Sequence, residues 1–120
     1  MTDLSIIIVS FNTEKLTREC IESVVKNTEG ISYEFLVMDN ISKDGSVEML
    51  KGLSQKLPLT LIANKDNIGF GAANNQGMKE AKGRYLLLLN SDTFVKDNVL
   101  GEMVKWMDEN PKVGISSCAL

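Results

Sequence analysis

Histidine is absent from the chain. That removes the Ser-His-Asp and Cys-His nucleophile systems and the imidazole-based zinc sites together. Any chemistry must come from carboxylates, amides, hydroxyls or backbone. Cysteine is nearly as scarce: Cys20 and Cys118 stand far apart in apolar surroundings. Their spacing fits neither a disulfide framework nor a metal knuckle, so both read as buried free thiols in a reducing cytoplasm. No basic run occurs, and a net charge of −3 with both signs scattered disfavours nucleic acid and anionic lipid as partners. Long apolar runs are missing too. The stretch from Leu4 to Val9 follows Asp3 instead of a basic segment, is too short for a secretory signal or a membrane span, and reads as a buried strand.

What is present is an apolar fraction of 43 % over 120 residues, enough for one domain, residues 1–120, around one core. Ser5 to Ser10 is rich in β-branched residues and runs into Phe11-Asn12-Thr13, where Thr13 can cap a helix over Lys15 to Lys26. Leu16, Cys20, Ile21, Val24 and Val25 would share its buried face. Tyr33 to Met38 predicts a second strand ending at Asp39-Asn40, and a turn with Asp44 and Gly45 leads to a helix through Val47, Leu50 and Leu53. Pro58 precedes a short strand, Leu59 to Ile62, and a Gly-rich helix start at Gly69-Phe70-Gly71 continues to about Ala81. Tyr85 to Leu89 shows no alternation, which predicts a strand covered on both faces at the centre of the sheet. A last helix over Asp97 to Glu109 is followed by Pro111 and the start of another strand at Val113 to Ser116. Four strand-helix units with short polar joints specify a three-layer α/β/α sandwich with a mainly parallel sheet. Ligands of such folds bind beyond the carboxyl ends of the strands, where the polar clusters of this sequence collect.

Three clusters could carry chemistry. Asp39 would present a carboxylate to the ring N–H of a uracil or thymine; taken alone, a strand-ending turn accounts for Asp39-Asn40 equally well. Gly69 and Gly71 allow close backbone approach at a helix N-terminus, a site that favours a diphosphate. Asn74 stands where a dinucleotide fingerprint wants its third glycine, so nicotinamide binding is a poor reading. Asn74 and Asn75 are mediocre helix formers, which weighs toward a binding role. Asp92, in Asn90-Ser91-Asp92, suits a hard divalent cation that takes most of its ligands from substrate phosphate, although taken alone a helix cap is the better account.

Four segments in order, Ser5-Ile6-Ile7-Ile8-Val9-Ser10-Phe11-Asn12, Val37-Met38-Asp39-Asn40-Ile41-Ser42-Lys43-Asp44-Gly45-Ser46, Asn67-Ile68-Gly69-Phe70-Gly71-Ala72-Ala73-Asn74-Asn75-Gln76-Gly77 and Leu87-Leu88-Leu89-Asn90-Ser91-Asp92-Thr93, resemble the family 2 glycosyltransferases, most closely their bacterial rhamnosyltransferase-like branch. The resemblance covers essentially the whole chain. It implies a GT-A (Rossmann-like) fold that binds a nucleoside-diphosphate sugar, UDP- or dTDP-linked, with Mg2+ or Mn2+ held by Asp92 together with the diphosphate. It further implies that Ser10, Phe11 and Asn12 flank the nucleoside, that Asp39 reads the base, and that Asn67, Gly69, Gly71, Asn74, Asn75, Asn90 and Ser91 line the nucleotide and sugar pocket. The first acid of the usual D-x-D-like motif is Asn90 here, which can bond a ribose hydroxyl but brings no charge. Asn-Ile after Asp39 departs from the common Asn-Ala and reads as packing.

An inverting transferase also needs a carboxylate general base. The resemblance places it beyond Leu120, so the chain reads as the donor-binding part, cut at its C-terminus and inactive alone. Asp97, Asp108 and Glu109, on an exposed helix, are poor substitutes. The acceptor would be a saccharide or lipid-linked precursor of a cell-envelope polysaccharide, with the parent protein cytoplasmic and peripherally associated with the inner membrane face. An uncovered apolar edge would favour a homodimer of the fragment. The competing reading is a non-catalytic α/β nucleotide-binding or regulatory module, such as a receiver-like domain, but that would want an acidic pair where Ser10-Phe11-Asn12 stands.

Overall fold

The computed structural model describes residues 1–117. Strands and helices alternate along it: β1 (Leu4–Ser10), α1 (Glu14–Asn27), β2 (Tyr33–Asp39), α2 (Ser46–Ser54), β3 (Leu59–Ala63), α3 (Phe70–Glu80), β4 (Tyr85–Leu88) and α4 (Val99–Glu109). The β-branched run Ile6-Ile7-Ile8 favours a strand, and all three side chains are fully buried. All pairings are parallel, in the order β3-β2-β1-β4. The register runs from Leu4 opposite Tyr33 to Ser10 opposite Asp39, so β1 and β2 end level with each other.

Alternate residues of the central strands feed two cores. Ile6, Ile8, Phe35 and Val37 pack with Cys20, Ile21 and Val24 of α1, Leu50 of α2, and Leu100 and Val104 of α4. Ile7, Leu36 and Met38 meet Ala73 of α3 on the other face. The result is the three-layer α/β/α sandwich with a parallel sheet. Gly77 lets α3 approach closely, since a Cβ there would lie 2.7 Å from both Ile7 Cγ2 and Met38 Cε. The chain winds from β1 out to β3, then crosses through α3 to β4 on the far side of β1. That reversal places the topological switch point between β1 and β4.

Several expectations need correction. β4 is an edge strand among the described residues, not the centre of the sheet, and Leu86 and Leu88 are 47 % and 51 % exposed. Its unbroken apolar run does encode two apolar faces, but α3 sits over β1 and β2 and leaves one of them open. Val113 to Ser116 forms no strand; Val113 N–H instead closes a turn on Asn110 O at 3.0 Å. The last helix begins at Val99, after Asp97 in a left-handed turn (φ 53°). On α1, Leu16 and Val25 are partly in solvent, 46 % and 37 % exposed, while Thr17 and Ser23 are buried. The two hydroxyls tolerate burial because Thr17 Oγ1 meets Ser10 Oγ at 3.2 Å, and Ser23 Oγ donates to Cys20 O at 2.7 Å and accepts Val95 N–H at 2.9 Å. Thr13 precedes α1 without a side-chain cap bond. Cys20 is a buried free thiol as expected, and Cys118 lies outside the described residues.

Candidate functional site

Every strand-to-helix joint opens at the same end of a parallel sheet, so the loops after β1, β2, β3 and β4 form one rim. Side chains lace the first two loops together. Asn12, in a left-handed conformation (φ 53°), accepts Lys43 N–H on Oδ1 at 2.7 Å, and its own N–H donates to Ser42 Oγ at 2.8 Å. Asp44 Oδ2 accepts Glu14 N–H at 3.2 Å, and Glu14 Oε1 accepts Gly45 N–H at 3.1 Å. Asp44 Oδ1 also accepts Ser46 Oγ and N–H, and the Ser46 hydroxyl bond is the main reason its carboxyl lies below the ordinary 3.8.

Asp39 differs from expectation. It is fully buried, and its carboxylate is occupied: Ser42 N–H donates to Oδ2 at 2.8 Å and Ser42 Oγ to Oδ1 at 2.6 Å. The strand-ending turn and the candidate ligand group are therefore the same object. Ser10 is equally buried, its Oγ directed to Thr17 and its carbonyl accepting Asn40 N–H at 2.9 Å, whereas Phe11 and Asn12 are exposed.

An amide chain that sequence reading leaves unassigned joins β2, β3 and α3. Gln76 and Asn64 exchange two hydrogen bonds, at 2.8 and 2.9 Å. Asn64 Nδ2 also donates to Asn40 Oδ1 at 2.9 Å, and Asn40 Nδ2 donates to Gly69 O at 3.2 Å. Only the polar character of the three residues hints at this; their pairing depends on the fold. Asn67 Oδ1 accepts Gly69 N–H at 3.0 Å. Gly69 itself has a positive φ (87°), a conformation that costs glycine nothing. The first intrahelical bond of α3 runs from Ala73 N–H to Gly69 O at 3.2 Å, so the N–H groups of Phe70, Gly71 and Ala72 precede it. Gly71 is exposed with open space around it. A helix start of this kind favours an anion. Asn74 is buried beside Ala73 and Asn75 is exposed.

After β4, Ser91 Oγ accepts a long bond from Thr13 Oγ1 at 3.5 Å, which sets this loop against the start of α1. Asn90 is exposed; its carbonyl accepts Thr93 N–H at 3.0 Å and lies 3.7 Å from Cys20 Sγ. Asp92 is exposed. Burial, with the Asp92 charge as second cause, pushes the Cys20 thiol up to about 11, which keeps it protonated and unreactive. Hydrogen bonds thus bring Ser10, Asn12, Asp39, Asn67 and Gly69 into one connected rim and tie Ser91 to Thr13. Gly71 lies in the first turn of α3, Asn74 and Asn75 follow in the next, and Asp92 lies in the loop after β4, none of them tied to the rim by a side-chain hydrogen bond among the described residues. Among the described residues no three His, Cys, Asp or Glu side chains cluster as a metal site.

The opposite end of the sheet holds a separate charged group. Arg84 pairs with Asp3 at 2.9 Å and Asp108 at 2.8 Å, and Tyr85 OH donates to Asp108 at 2.5 Å. Asp108 is therefore both engaged and remote from the rim.

Comparison with known proteins places this arrangement among relatives. The sequence model described as glycosyl transferase family 2 matches residues 5–118. The chain is 32 % identical over 110 residues to the minor teichoic acid biosynthesis protein GgaB of Bacillus subtilis, covering 90 % of this chain and 12 % of GgaB. It is 27 % identical over 112 residues to the poly(ribitol-phosphate) beta-N-acetylglucosaminyltransferase TarS of Staphylococcus aureus, covering 92 % of this chain and 20 % of TarS. The crystal structure of S. aureus TarS 1-349 in complex with UDP-GlcNAc superposes with a TM-score of 0.82 at 26 % identity, over 90 % of this chain and 32 % of that one. The mannosyltransferase PcManGT from Pyrobaculum calidifontis, in complex with GDP-Man and Mn2+, shares the fold at 22 % identity and a TM-score of 0.80, over 87 % of this chain and 32 % of that one. These neighbours carry the GT-A fold, and the chain spans well under half the length of each.

Proposed function

Since the chain belongs to glycosyl transferase family 2, we propose that its rim binds a nucleoside-diphosphate sugar as the donor half of an inverting transferase. The carrying observation is the junction of the loops after β1, β2 and β3 and the α3 start by side-chain hydrogen bonds at the carboxyl end of a parallel sheet. A pyrimidine diphosphate suits it. Asp39 Oδ1, held by the Ser42 hydroxyl rather than by backbone, is the oxygen that a uracil or thymine N–H would take over. Phe11 and Asn12 would flank the nucleoside from the exposed side, with Ser10 supporting them from behind through Thr17. The free N–H groups at the start of α3 would face the diphosphate, with Asn74, Asn75, Asn90 and Ser91 toward ribose and sugar. The uridine ligands in TarS structures favour UDP over dTDP; the rhamnosyltransferase-like resemblance favours a dTDP-linked deoxysugar.

Asp92 fits Mg2+ or Mn2+ in a limited sense: one exposed carboxylate, free of ion pairs among the described residues, suits an ion whose other ligands are phosphate oxygens. Bound there, the ion would neutralise the departing diphosphate. The acceptor we propose is a saccharide or lipid-linked precursor of a cell-envelope polymer, in keeping with the teichoic acid biosynthesis in the name of GgaB and the poly(ribitol-phosphate) in that of TarS. The parent would then work at the cytoplasmic membrane face; no described helix is long and apolar enough to cross a membrane.

The general base we place outside these residues, because Asp108 is clamped at the wrong end and Asp97 sits in an exposed turn. The isolated chain should therefore bind nucleotide yet transfer no sugar, lacking a contribution of about 10² to 10⁴ in rate from the base and a wall to orient the acceptor. Thermal shift with a panel of nucleoside diphosphates, with and without Mn2+, tests the donor reading. Stabilisation by UDP or dTDP supports it, and indifference to every nucleotide would remove it. Sugar transfer by the isolated chain at the parent's rate would overturn the placing of the base.

A further inference from the structure

Among the described residues three non-glycine positions adopt a left-handed backbone, Asn12, Ile41 and Asp97. Asn and Asp visit that region readily, because their short polar side chains bond locally, whereas a β-branched residue there is strained. Elsewhere glycine takes positive φ, at Gly30 and at Gly69, the latter with ψ 165° in a region essentially reserved for glycine. Ile41, at φ 61°, is also 42 % exposed, so burial offsets the strain only in part. The backbone turn has an evident purpose: it brings Ser42 N–H and Oγ back onto Asp39, while Asn40 N–H is fixed to Ser10 O. The isoleucine side chain does not contribute to those bonds. Glycine or asparagine would make the turn with less strain.

We propose that Ile41 is a specificity-determining binding residue whose side chain forms an apolar wall against the flat face of the donor's nucleobase. This rests on the donor-site reading above. The placement follows from the lacing of the loops: Ser42, the next residue, accepts the N–H of Asn12, and Asn12 adjoins Phe11, a second apolar side chain that is 45 % exposed. Two exposed apolar groups therefore stand on neighbouring turns beside the buried Asp39 carboxylate. Of the parts of a nucleoside-diphosphate sugar, the diphosphate and hydroxyls gain nothing from an aliphatic branch. A pyrimidine ring whose edge bonds to a carboxylate has a face that does.

The test compares Ile41→Asn and Ile41→Val in this chain, with UDP and pyrophosphate as probes in titration calorimetry and with melting temperature as a second readout. Ile41→Asn should weaken UDP by about five- to tenfold with an unchanged or raised melting temperature. Its pyrophosphate binding should stay at the wild-type level, and Ile41→Val should bind UDP within about twofold of wild type. Unchanged UDP affinity in Ile41→Asn would overturn the inference while leaving the donor site standing. So would an equal loss of UDP and pyrophosphate accompanied by a lower melting temperature, the signature of a structural role. A wild-type chain that binds no nucleotide would show that the donor-site reading itself is wrong.

Discussion

Replacing Asp39 with asparagine separates its two roles, because the variant can keep the loop and lose the ligand contact. Asp39 receives Ser42 N–H on one oxygen and Ser42 Oγ–H on the other. In Asp39→Asn the amide oxygen still accepts the backbone N–H. The amide NH2 meets Ser42 Oγ, which can turn to accept, as it already does from Asn12 N–H. The stability cost is then the loss of charge assistance, about 1 kcal/mol, or a fall of about 3 to 6 °C in melting temperature for a domain of this size. Binding suffers more. A uracil ring N–H would confront an N–H instead of a carboxylate, losing a charge-assisted bond of about 1.5 to 3 kcal/mol, or roughly 10- to 150-fold in UDP affinity. Cytosine carries a ring acceptor at the same position, so CDP should lose little or gain, and the wild-type preference for UDP over CDP should shrink or invert. Calorimetric titration of both nucleotides, below the melting transition of each protein, reads that ratio. A ratio unchanged from wild type would refute base reading by Asp39 and leave it as a turn residue.

Manganese should bind feebly to the nucleotide-free chain and gain affinity when UDP is added, because Asp92 supplies a single carboxylate; tight Mn2+ binding without nucleotide, seen in the Mn2+ electron paramagnetic resonance signal, would contradict that ligand set. Bonds from Ser32 N–H and Arg84 hold the Asp3 carboxyl below the ordinary 3.8, and Arg84, with Tyr85, does the same for Asp108. A depressed folded-state pKa contributes stability that is present above 3.8 and is lost as pH falls through the lower folded value, so the Asp3→Asn/Asp108→Asn protein should show a flatter acid limb in melting temperature against pH, and an unchanged limb would count against this clamp. Leu86→Ser/Leu88→Ser should reduce self-association in sedimentation velocity, since both side chains sit on the open face of β4; a wild-type chain that stays monomeric at high concentration would remove the association.

The helices and strands were legible because each joint carries its own punctuation: Asp44-Gly45, Pro58 and Gly69 stand at boundaries for reasons of backbone geometry, whatever the fold. What failed depends on neighbours. The run Tyr85 to Leu88 reports that both faces of β4 are apolar, but not whether anything covers them, and among the described residues one face is open. In the same way Leu16 and Val25 fit a helical stripe, yet Thr17 and Ser23 are buried beside Cys20, Ile21 and Val24 because the Ser10 hydroxyl and the Val95 backbone N–H bond to them. The candidate site divides along the same line. That its polar clusters gather at one end was readable, since they end successive strands and parallel pairing brings those ends to one side. Its internal engagement was not, because Asp39 is closed by Ser42, and Asn64 by Gln76, through contacts that exist only after folding.

Ile41 sharpens this point, since residue type argues directly against the conformation it adopts. A β-branched residue after a strand predicts extended backbone, and its departure from the common Asn-Ala pairing reads as a packing change. The structure instead shows a half-exposed side chain on a left-handed turn. Packing accounts for the buried part of this side chain and leaves 42 % of it facing solvent. Loop geometry does not account for it, because Asn12 meets a similar backbone requirement in the adjoining loop with a residue suited to it. A nucleobase partner of the kind inferred above would account for the side chain, and the neighbouring Asp39 defines which part of a nucleotide that partner would be.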